Sequence, residues 1–401
     1  MNPATATHSF QHDQINEKVL RRTAFNLRWA TVEEDVIPLT AGEMDYPICP
    51  AVAEAIERHV HNGYLGYCPP QGYESFRNAI ANDLSAKGIP ASADQVLVID
   101  GAASALKVAC RAILNPGDEA VTFDPVDFLL PHCAELAGAK VNRCPVSTTD
   151  GSFDSEQLES LITPKTKALL VCNPHNPTGR VLRREELHTL ANLAEKHNLV
   201  LISDEVWSEI ILGERPMISL ASLSDETAAR TVTVSGFSKS DGLSGLRVGY
   251  LHSSSESIFR KIVEESGILD TSGGATALSQ VAAEAALLHG SSWRIAFVDH
   301  LRQIIPPAAE RLSALKGVHC PVPEGTFLLF PKVEFPQTEM EPLAERILKE
   351  ARVSVVPGAE QWFGAGARGH LRLSVATSRE ILDEALGRLE SFWSSIALTQ
   401  E

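Results

Sequence analysis

Short apolar runs alternate with helical patterns through the middle of the chain. The run at 168–172 has no polar alternation, which is typical of a strand covered on both faces. Stretches with apolar residues at helical intervals separate such runs, and this order predicts right-handed βαβ units around a mainly parallel sheet. The predicted strands are 96–99, 119–123, 139–141, 168–172, 199–203, 231–235 and 246–251, and the predicted helices among them are 102–114, 128–137 and 183–197.

The two ends of the chain have a different pattern. Ahead of the sheet, Ile37 and Leu39 predict a strand or an arm, and an amphipathic helix is predicted from Pro50 to Gly63. After residue 290 the pattern predicts helices at 292–315, 340–351 and 379–396, with short strands near 318, 327 and 371. We therefore expect an α/β fold in three parts: residues 1–60 as an N-terminal segment that joins the small domain, 61–288 as a large α/β domain, and 289–401 as a small C-terminal α+β domain.

The composition narrows the class of protein. With 35 Lys and Arg against 51 Asp and Glu, the 401-residue chain has a formal net charge of −16 and no basic block, so no nucleic-acid partner is expected. No apolar run approaches the ~18 residues that a membrane span needs, so no membrane partner is expected either. Seven scattered cysteines without a C-x-x-C pair favour reduced thiols and a cytoplasmic protein. His59 and His61 cannot share one helix face, and no metal site is expected.

The residues directly after the predicted strands are the candidates for chemistry, because ligands bind at the carboxyl ends of parallel strands. A turn of small residues that opens a helix favours an anion, since its backbone N–H groups are free. An Asn-Pro loop can present an amide to a ligand, and a carboxylate can end a buried strand. The chain has one of each: Gly101-Ala102-Ala103, Asn176 within NPHNPTG, and Asp204-Glu205.

A lysine loop follows the strand at 231–235. Its sequence, GFSKSDGLSGLRVG, sets Lys239 in a Ser- and Gly-rich turn, with Arg247 eight residues further on. A desolvated lysine amine beside a second cation is suited to attack a carbonyl carbon. Near the C-terminus, Arg372 lies within the apolar stretch HLRLS, where an arginine usually has a carboxylate or phosphate partner.

These motifs, in this order, resemble those of the fold type I pyridoxal-phosphate enzymes, in particular the class I and II aminotransferase superfamily related to aspartate aminotransferase. The resemblance rests on NPTG, on SDE at a strand end, and on the lysine loop followed by GLRVG, and it covers residues 38–395. It implies that 61–288 binds pyridoxal 5'-phosphate and that the substrates are an L-amino acid and a 2-oxo acid. It also implies a homodimer with shared active sites and a place in amino-acid metabolism.

The resemblance implies a role for each matching residue. Lys239 is similar to the lysine that binds the cofactor and then carries a proton, and Asp204 is similar to the carboxylate that pairs with the pyridine nitrogen; these are the expected catalytic residues. The other expected cofactor contacts are Tyr67 from the neighbouring subunit, Gly101, Ala102, Ala103, Phe128, Asn176, Trp207, Ser238 and Arg247. The expected substrate contacts are Gly42, Asn176 and Arg372, of which Arg372 matches the clamp on the α-carboxylate.

Three positions depart from the pattern of the family. Trp207 lies where a tyrosine is common, and its indole can donate a hydrogen bond but cannot ionise. The aromatic residue that stacks on the cofactor ring usually follows a proline by two residues, but here that position is Asp127, and Phe128 is the expected substitute. Gly236 replaces a frequent hydroxyl residue. For Asp127 two interpretations stay open, an acid that recognises a basic substrate side chain or a turn cap.

The superfamily contains a second reaction that uses the same lysine, aspartate and arginine. AGEMDYP and SDEVWSEI have some likeness to the carbon–sulfur β-lyase subgroup, whereas PEGTF and the following FPK resemble the aminotransferases. Transamination is the first interpretation, and β-elimination from a cystathionine-like substrate is the alternative. No second arginine is identified that would bind the distal carboxylate of a dicarboxylic substrate, so an apolar, aromatic or basic side chain stays open.

Overall fold

The computed structural model describes residues 8–147, 150–270, 273–334 and 339–398, so the outermost residues of the expected terminal segments lie outside the described ranges. The strands are β1 (Ile37–Pro38), β2 (Val96–Ile99), β3 (Glu119–Asp124), β4 (Lys140–Pro145), β5 (Thr166–Cys172), β6 (Val200–Asp204), β7 (Thr231–Gly236), β8 (Gly249–His252), β9 (Val318–His319), β10 (Leu328–Leu329), β11 (Lys332–Val333), β12 (Val353–Ser354), β13 (Val356–Pro357) and β14 (Leu371–Ser374). The helices are α1 (Glu17–Thr23), α2 (Pro50–His61), α3 (Glu74–Ala86), α4 (Ala102–Ile113), α5 (Leu129–Leu136), α6 (Ser155–Ser160), α7 (Arg184–Lys196), α8 (Asp225–Ala228), α9 (Glu256–Glu265), α10 (Ala277–His289), α11 (Ser291–Ser313), α12 (Met340–Arg346), α13 (Glu360–Phe363) and α14 (Arg379–Leu398).

A seven-stranded sheet organises the middle of the chain, in the order β2-β8-β7-β6-β5-β3-β4. Strand β8 runs antiparallel to both of its neighbours, and every other pair in the sheet is parallel. The predicted mainly parallel sheet is confirmed. Because β5, β6 and β7 are parallel neighbours, the residues that follow them meet at one edge of the sheet.

Both faces of the sheet are covered, as the apolar run in β5 predicts. Leu170 belongs to the larger hydrophobic core, while Leu169 and Val171 belong to a second core on the other face. Side chains alternate between the faces of a strand, so a strand with a core on each face needs apolar residues at every position. The absence of polar alternation in this run follows directly from its place in the sheet.

The N-terminal segment pairs with the C-terminal part of the chain. Strand β1 lies parallel to β12, and the backbone N–H of Ser374 in β14 donates to the carbonyl of Leu39. The expectation of a strand at Ile37 is confirmed. Strand β14 lies between β10 and β13 in a small antiparallel sheet. This pairing holds the segment that leads to Gly42 against the C-terminal sheet. The domain boundaries stay a prediction.

Several predicted elements begin or end elsewhere; the strand predicted at 139–141, for example, runs over Lys140–Pro145 as β4. The strand predicted at 246–251 begins only at Gly249, because a 3-10 turn at Ser244–Leu246 is followed by Arg247 with φ +51 in the left-handed region. The helix predicted at 340–351 ends as an α-helix at Arg346 and continues as a π-helix over Ile347–Ala351. Within the described ranges, no helix combines the length and the apolar composition that crossing a membrane requires.

Candidate active site

Lys239 lies in the loop after β7, and its amine is enclosed by protein groups. Its Nζ donates to the carbonyl oxygen of Gly42 over 2.7 Å and lies 5.2 Å from the centre of the Trp207 ring. A Cβ on Gly42 would come within 3.2 Å of this amine, which is a tight contact. Burial lowers the pKa of Lys239, and the carboxylate of Asp127 opposes this shift. The amine is therefore easier to deprotonate than an exposed lysine.

Asp204 ends β6, and few groups stabilise the negative charge of its buried carboxylate. It accepts a hydrogen bond from the backbone N–H of Val206 at 3.2 Å. Burial raises the pKa of Asp204 to about 7, and the negative charge of Asp127 adds to the rise. Within 4 Å of this carboxylate, the described part of the chain offers no lysine, arginine or histidine nitrogen. The carboxylate is thus suited to a positively charged partner that the protein itself does not supply.

Arg372 reaches the same site from β14 and is linked to the Asn-Pro loop. Its guanidinium donates to Asn176 Oδ1 and to the carbonyl oxygen of Thr40, both over 3.3 Å, and lies 5.0 Å from the centre of the Phe363 ring. Its Nε is buried and has no hydrogen-bond partner among the described residues. Burial lowers the pKa of Arg372, and Asp127 acts in the opposite direction. A carboxylate ligand would provide the missing acceptor.

Asp127 completes this group. Its Oδ2 accepts a hydrogen bond from Asn176 Nδ2 at 2.9 Å and lies 3.7 Å from an Arg372 nitrogen. Its Oδ1 accepts from the backbone N–H of Leu129 at 3.1 Å, at the start of α5. Asp127 was not among the expected cofactor or substrate contacts, although its place two residues after Pro125 marked it as unusual. The turn-cap interpretation agrees with this contact.

The small-residue turn after β2 forms the N-terminus of α4. Gly101 has φ +105, a conformation that favours glycine, and a Cβ there would lie 3.4 Å from the Arg247 guanidinium carbon. A Cβ on Gly249 would lie 2.8 Å from the backbone nitrogen of Ala102, so β8 packs tightly against this turn. A guanidinium beside the positive end of a helix is favourable once an anion binds between them. Ala103 follows Ala102 in the first turn of α4.

Three further expected contacts, Tyr67, Phe128 and Ser238, have no hydrogen bond to Lys239, Asp204 or Arg372 among those that the structure describes. Tyr67 is 97% exposed, close in sequence to the exposed Tyr64 and Leu65. Phe128 is 40% exposed and packs edge-on against Trp362, with ring centres 5.7 Å apart. Ser238 is partly buried directly before Lys239. Their roles stay predictions. Phe363 and Thr40, which contact Arg372, were missed because nothing in their local sequence sets them apart.

The site residues fit pyridoxal 5'-phosphate. Asp204 is a buried carboxylate without a cation, which suits a protonated pyridine nitrogen. The turn at Gly101 with Arg247 suits a phosphate group. Lys239 carries a partly buried amine that donates to the Gly42 carbonyl and lies over the Trp207 ring. These three groups are the parts that such a cofactor needs, and they lie on separate elements that the sheet brings together.

Comparisons with known proteins agree with this arrangement. The family model for aminotransferase class I and II matches residues 34–389. An aspartate aminotransferase of Thermotoga maritima is 38% identical over 366 residues, which cover 90% of this chain and 92% of that protein. The structure of an aromatic aminotransferase from Pyrococcus horikoshii has a TM-score of 0.85 at 31% identity and covers 91% of this chain and 98% of its own.

Cystalysin from Treponema denticola has a TM-score of 0.88 at 21% identity, with 98% of this chain and 100% of that chain covered, and this likeness shows the fold alone. The expected fold class, with a large mainly parallel sheet flanked by helices, is confirmed. The family model and the relatives together establish the class of enzyme. The chain belongs to the aminotransferase class I and II family and is a pyridoxal-phosphate-dependent aminotransferase.

Proposed function

We propose that the enzyme moves the amino group of an L-amino acid to a 2-oxo acid, with Lys239, Asp204 and Arg372 as its central residues. One observation carries this assignment: the partly buried amine of Lys239 and the buried carboxylate of Asp204 lie at the ends of neighbouring strands of the large sheet, and the buried guanidinium of Arg372 reaches Asn176 at the same edge. Each lacks the full ionic partner that a purely structural charge requires. Asn176 links Arg372 to the loop after β5.

The proposed roles follow from the surroundings of each side chain. Pyridoxal phosphate, when bound, withdraws electrons from the substrate and so acidifies its Cα–H bond. Asp204 would hold the proton on the pyridine nitrogen, and Arg372 would bind the α-carboxylate through paired N–H donors. Burial keeps the pKa of Lys239 low, which allows its neutral amine to accept the proton from Cα and to return it. Gly42 and Trp207 restrict where this amine can lie.

The other expected cofactor contacts are proposed on the same basis. Gly101, Ala102 and Ala103, with Ser238 and Arg247, would bind the phosphate at the N-terminus of α4. Asn176 would donate to the phenolic oxygen of the cofactor, and Trp207 and Phe128 would line the ring. Gly42 would contact the substrate carboxylate through its backbone.

A homodimer with shared active sites is proposed for the assembly. Tyr67 is almost fully exposed, and its neighbours Tyr64 and Leu65 are exposed apolar side chains. Such a patch is suited to burial against a second copy of the chain, where Tyr67 would reach the partner's phosphate. All seven cysteines are free, which supports a cytoplasmic location.

The relatives that are named aspartate aminotransferases make aspartate one amino acid to test. Carbon–sulfur β-elimination is less supported, and it enters only as an outcome of the test.

The experiment compares Lys239→Ala with Lys196→Ala, a change of a lysine whose side chain is 63% exposed. Purified variants are mixed with a panel of L-amino acids, and the release of 2-oxo acid in the first turnover is measured. We expect a loss of at least about 10³-fold for Lys239→Ala, because a residue of the chemical step is removed, and no change for Lys196→Ala. Retention of more than about 1% of the wild-type rate by Lys239→Ala would overturn the assignment.

A further inference from the structure

The carboxylate of Asp127 lies beside Arg372, the expected binder of the substrate α-carboxylate, with 3.7 Å between an oxygen and a guanidinium nitrogen. Its negative charge opposes the pKa shift of Lys239 and adds to that of Asp204. Its carboxylate accepts hydrogen bonds from the Leu129 backbone N–H and from Asn176 Nδ2. The side chain is still 26% exposed, so it remains accessible to a ligand. An acid is therefore present directly beside the expected binder of the α-carboxylate.

The charges of the site do not balance once its proposed ligands are in place. Four side chains act on the Lys239 amine, namely the three acids Asp127, Glu43 and Asp204 and the guanidinium of Arg372. In the proposed function Asp204 pairs with the pyridine nitrogen, Arg372 pairs with the α-carboxylate, and Lys239 is engaged by the cofactor. Asp127 is then left without a cation.

Arg372 does not neutralise Asp127 well even before substrate binds. At 3.7 Å the two groups are too far apart for a hydrogen bond, and the guanidinium instead donates to Asn176 and to the Thr40 carbonyl. No other lysine or arginine nitrogen in the described ranges lies within 4 Å of Asp127. A substrate carboxylate on Arg372 would bring a second negative charge close to this acid. A positive charge elsewhere on the same substrate would compensate for it.

We propose that Asp127 is the residue that determines substrate specificity and selects an amino acid with a cationic side chain, an ammonium or a guanidinium. The inference rests on the proposed function. It places the α-carboxylate of the substrate on Arg372 and the distal cation against Asp127. A distal carboxylate would meet Asp127 with like charge, so aspartate and glutamate are expected to be poor donors.

The test compares amino acids of similar length that differ in the charge of the side chain. The holoenzyme is mixed with L-lysine, L-ornithine, L-arginine, L-methionine and L-glutamate in turn, and kcat/KM for the release of the 2-oxo acid is measured. We expect the basic amino acids to exceed L-methionine by at least about tenfold and L-glutamate by more, since a paired charge in a partly desolvated site gains more than an apolar contact.

Two variants assign this preference to the carboxylate. Asp127→Asn removes the charge and retains an oxygen that can accept from Leu129; we expect kcat/KM for the basic amino acids to fall by at least about tenfold more than that for L-methionine. Asp127→Glu retains the charge and should retain the preference. Glu360→Gln, at an exposed carboxylate paired with Arg368, is the control and should change nothing.

The outcomes separate the inference from the proposed function. If no amino acid yields a 2-oxo acid, the proposed function fails. If L-methionine or L-glutamate reacts better than every basic amino acid, the function stands and the specificity of Asp127 is refuted. An equal loss for all amino acids in Asp127→Asn would also refute it, because that is the result expected of a turn cap alone. Should Asp127→Asn not fold, the ranking measured with the wild-type enzyme still decides.

Discussion

Asp204 and Glu205 are adjacent and buried, yet their surroundings give them different chemistry. Glu205 accepts hydrogen bonds from the hydroxyls of Ser203 and Ser219 at 2.9 and 2.6 Å. The Asp204 carboxylate accepts a bond only from the backbone N–H of Val206 among the described residues. Burial raises the pKa of both carboxyls, but the two serine hydroxyls oppose the rise at Glu205. The carboxylate of Glu205 is therefore stabilised by hydroxyl groups of the protein, whereas that of Asp204 remains available to pair with a cation. The family resemblance picked out Asp204, and the difference in hydrogen bonding gives the physical reason.

This difference predicts how the stability of the cofactor-free enzyme depends on pH. The pKa of Asp204 rises from 3.8 in the unfolded chain to about 7 in the folded one. Between these values the folded state binds a proton that the unfolded state does not, so the free energy of unfolding falls as the pH rises through that window. Asp204→Asn removes this penalty and should stabilise the apoenzyme at pH 8 by on the order of 2 kcal/mol, with little gain near pH 4.

Urea unfolding of the apoenzyme at the two pH values is the measurement. Glu205→Gln serves as the matched comparison and should gain less than Asp204→Asn between pH 4 and pH 8, because the hydroxyls of Ser203 and Ser219 already stabilise the Glu205 carboxylate. A gain for Asp204→Asn that is the same at both pH values would contradict this explanation. The variant should also lose transaminase activity, since the pyridine nitrogen loses its counter-charge.

Arg372→Ala should separate substrate binding from cofactor binding. We expect KM for amino acids to rise by about 100-fold, which corresponds to the loss of charged hydrogen bonds to a carboxylate, while the absorbance of the bound cofactor is retained. Arg368→Ala, at a side chain that is 75% exposed, should leave KM unchanged. An unaltered KM in Arg372→Ala would show that another residue binds the α-carboxylate.

At the scale of elements, the strands were predictable and the exact geometry of the turns was not. Continuous apolar runs identify β5, β6 and β7, and the polar residues after them mark the edge that carries the site. The start of β8 was placed too early because the left-handed conformation of Arg247 leaves no pattern of hydrophobic residues. Arg247 lies two residues before β8, the strand whose Gly249 packs against the turn at the start of α4.

The packing of β8 against the α4 turn predicts different effects of substitution at Gly249, which begins β8, and at Gly245, which lies in the preceding 3-10 turn. A Cβ on Gly249 would lie 2.8 Å from the Ala102 nitrogen and from the Ser235 oxygen, whereas Gly245 has nothing within 4 Å. Gly249→Ala should displace the turn at Gly101 and weaken cofactor binding by tenfold or more, an effect of about 1.4 kcal/mol. Gly245→Ala should bind as the wild type does. Equilibrium dialysis of the cofactor measures both, and equal affinities would contradict the role of the turn.

At the scale of the whole molecule, the site draws on distant parts of the chain. Gly42 comes from the N-terminal segment, Lys239 from the central sheet and Arg372 from the C-terminal sheet. Short-range patterns predicted each of these elements. They did not predict that Asp127 lies beside Arg372, because that contact depends on how the C-terminal sheet packs against the loop after β3. The roles of Lys239 and Arg372 could be predicted from the resemblance to the family, but the contact between Asp127 and Arg372 could be seen only in the structure.

The exposed patch at Leu65 and Tyr67 predicts a dimer that can be broken. Leu65 is 60% exposed, and Leu65→Glu would place a charge within the proposed interface. We expect sedimentation to show twice the 43.4 kDa chain mass for the wild type and the mass of a single chain for the variant, with loss of activity. Leu348→Glu, at a partly exposed leucine of the C-terminal part, should remain dimeric. A wild-type enzyme that sediments as a monomer would contradict the shared site.

The most direct test of the whole account is the fate of the nitrogen in a single half-reaction. The holoenzyme is mixed with a reactive L-amino acid without any 2-oxo acid acceptor, and released 2-oxo acid and ammonia are both measured. We expect about one equivalent of 2-oxo acid per active site and no ammonia, because the amino group is retained until an acceptor arrives. Continuous release of ammonia together with the 2-oxo acid, such as pyruvate from cystathionine, would contradict it and identify a β-lyase.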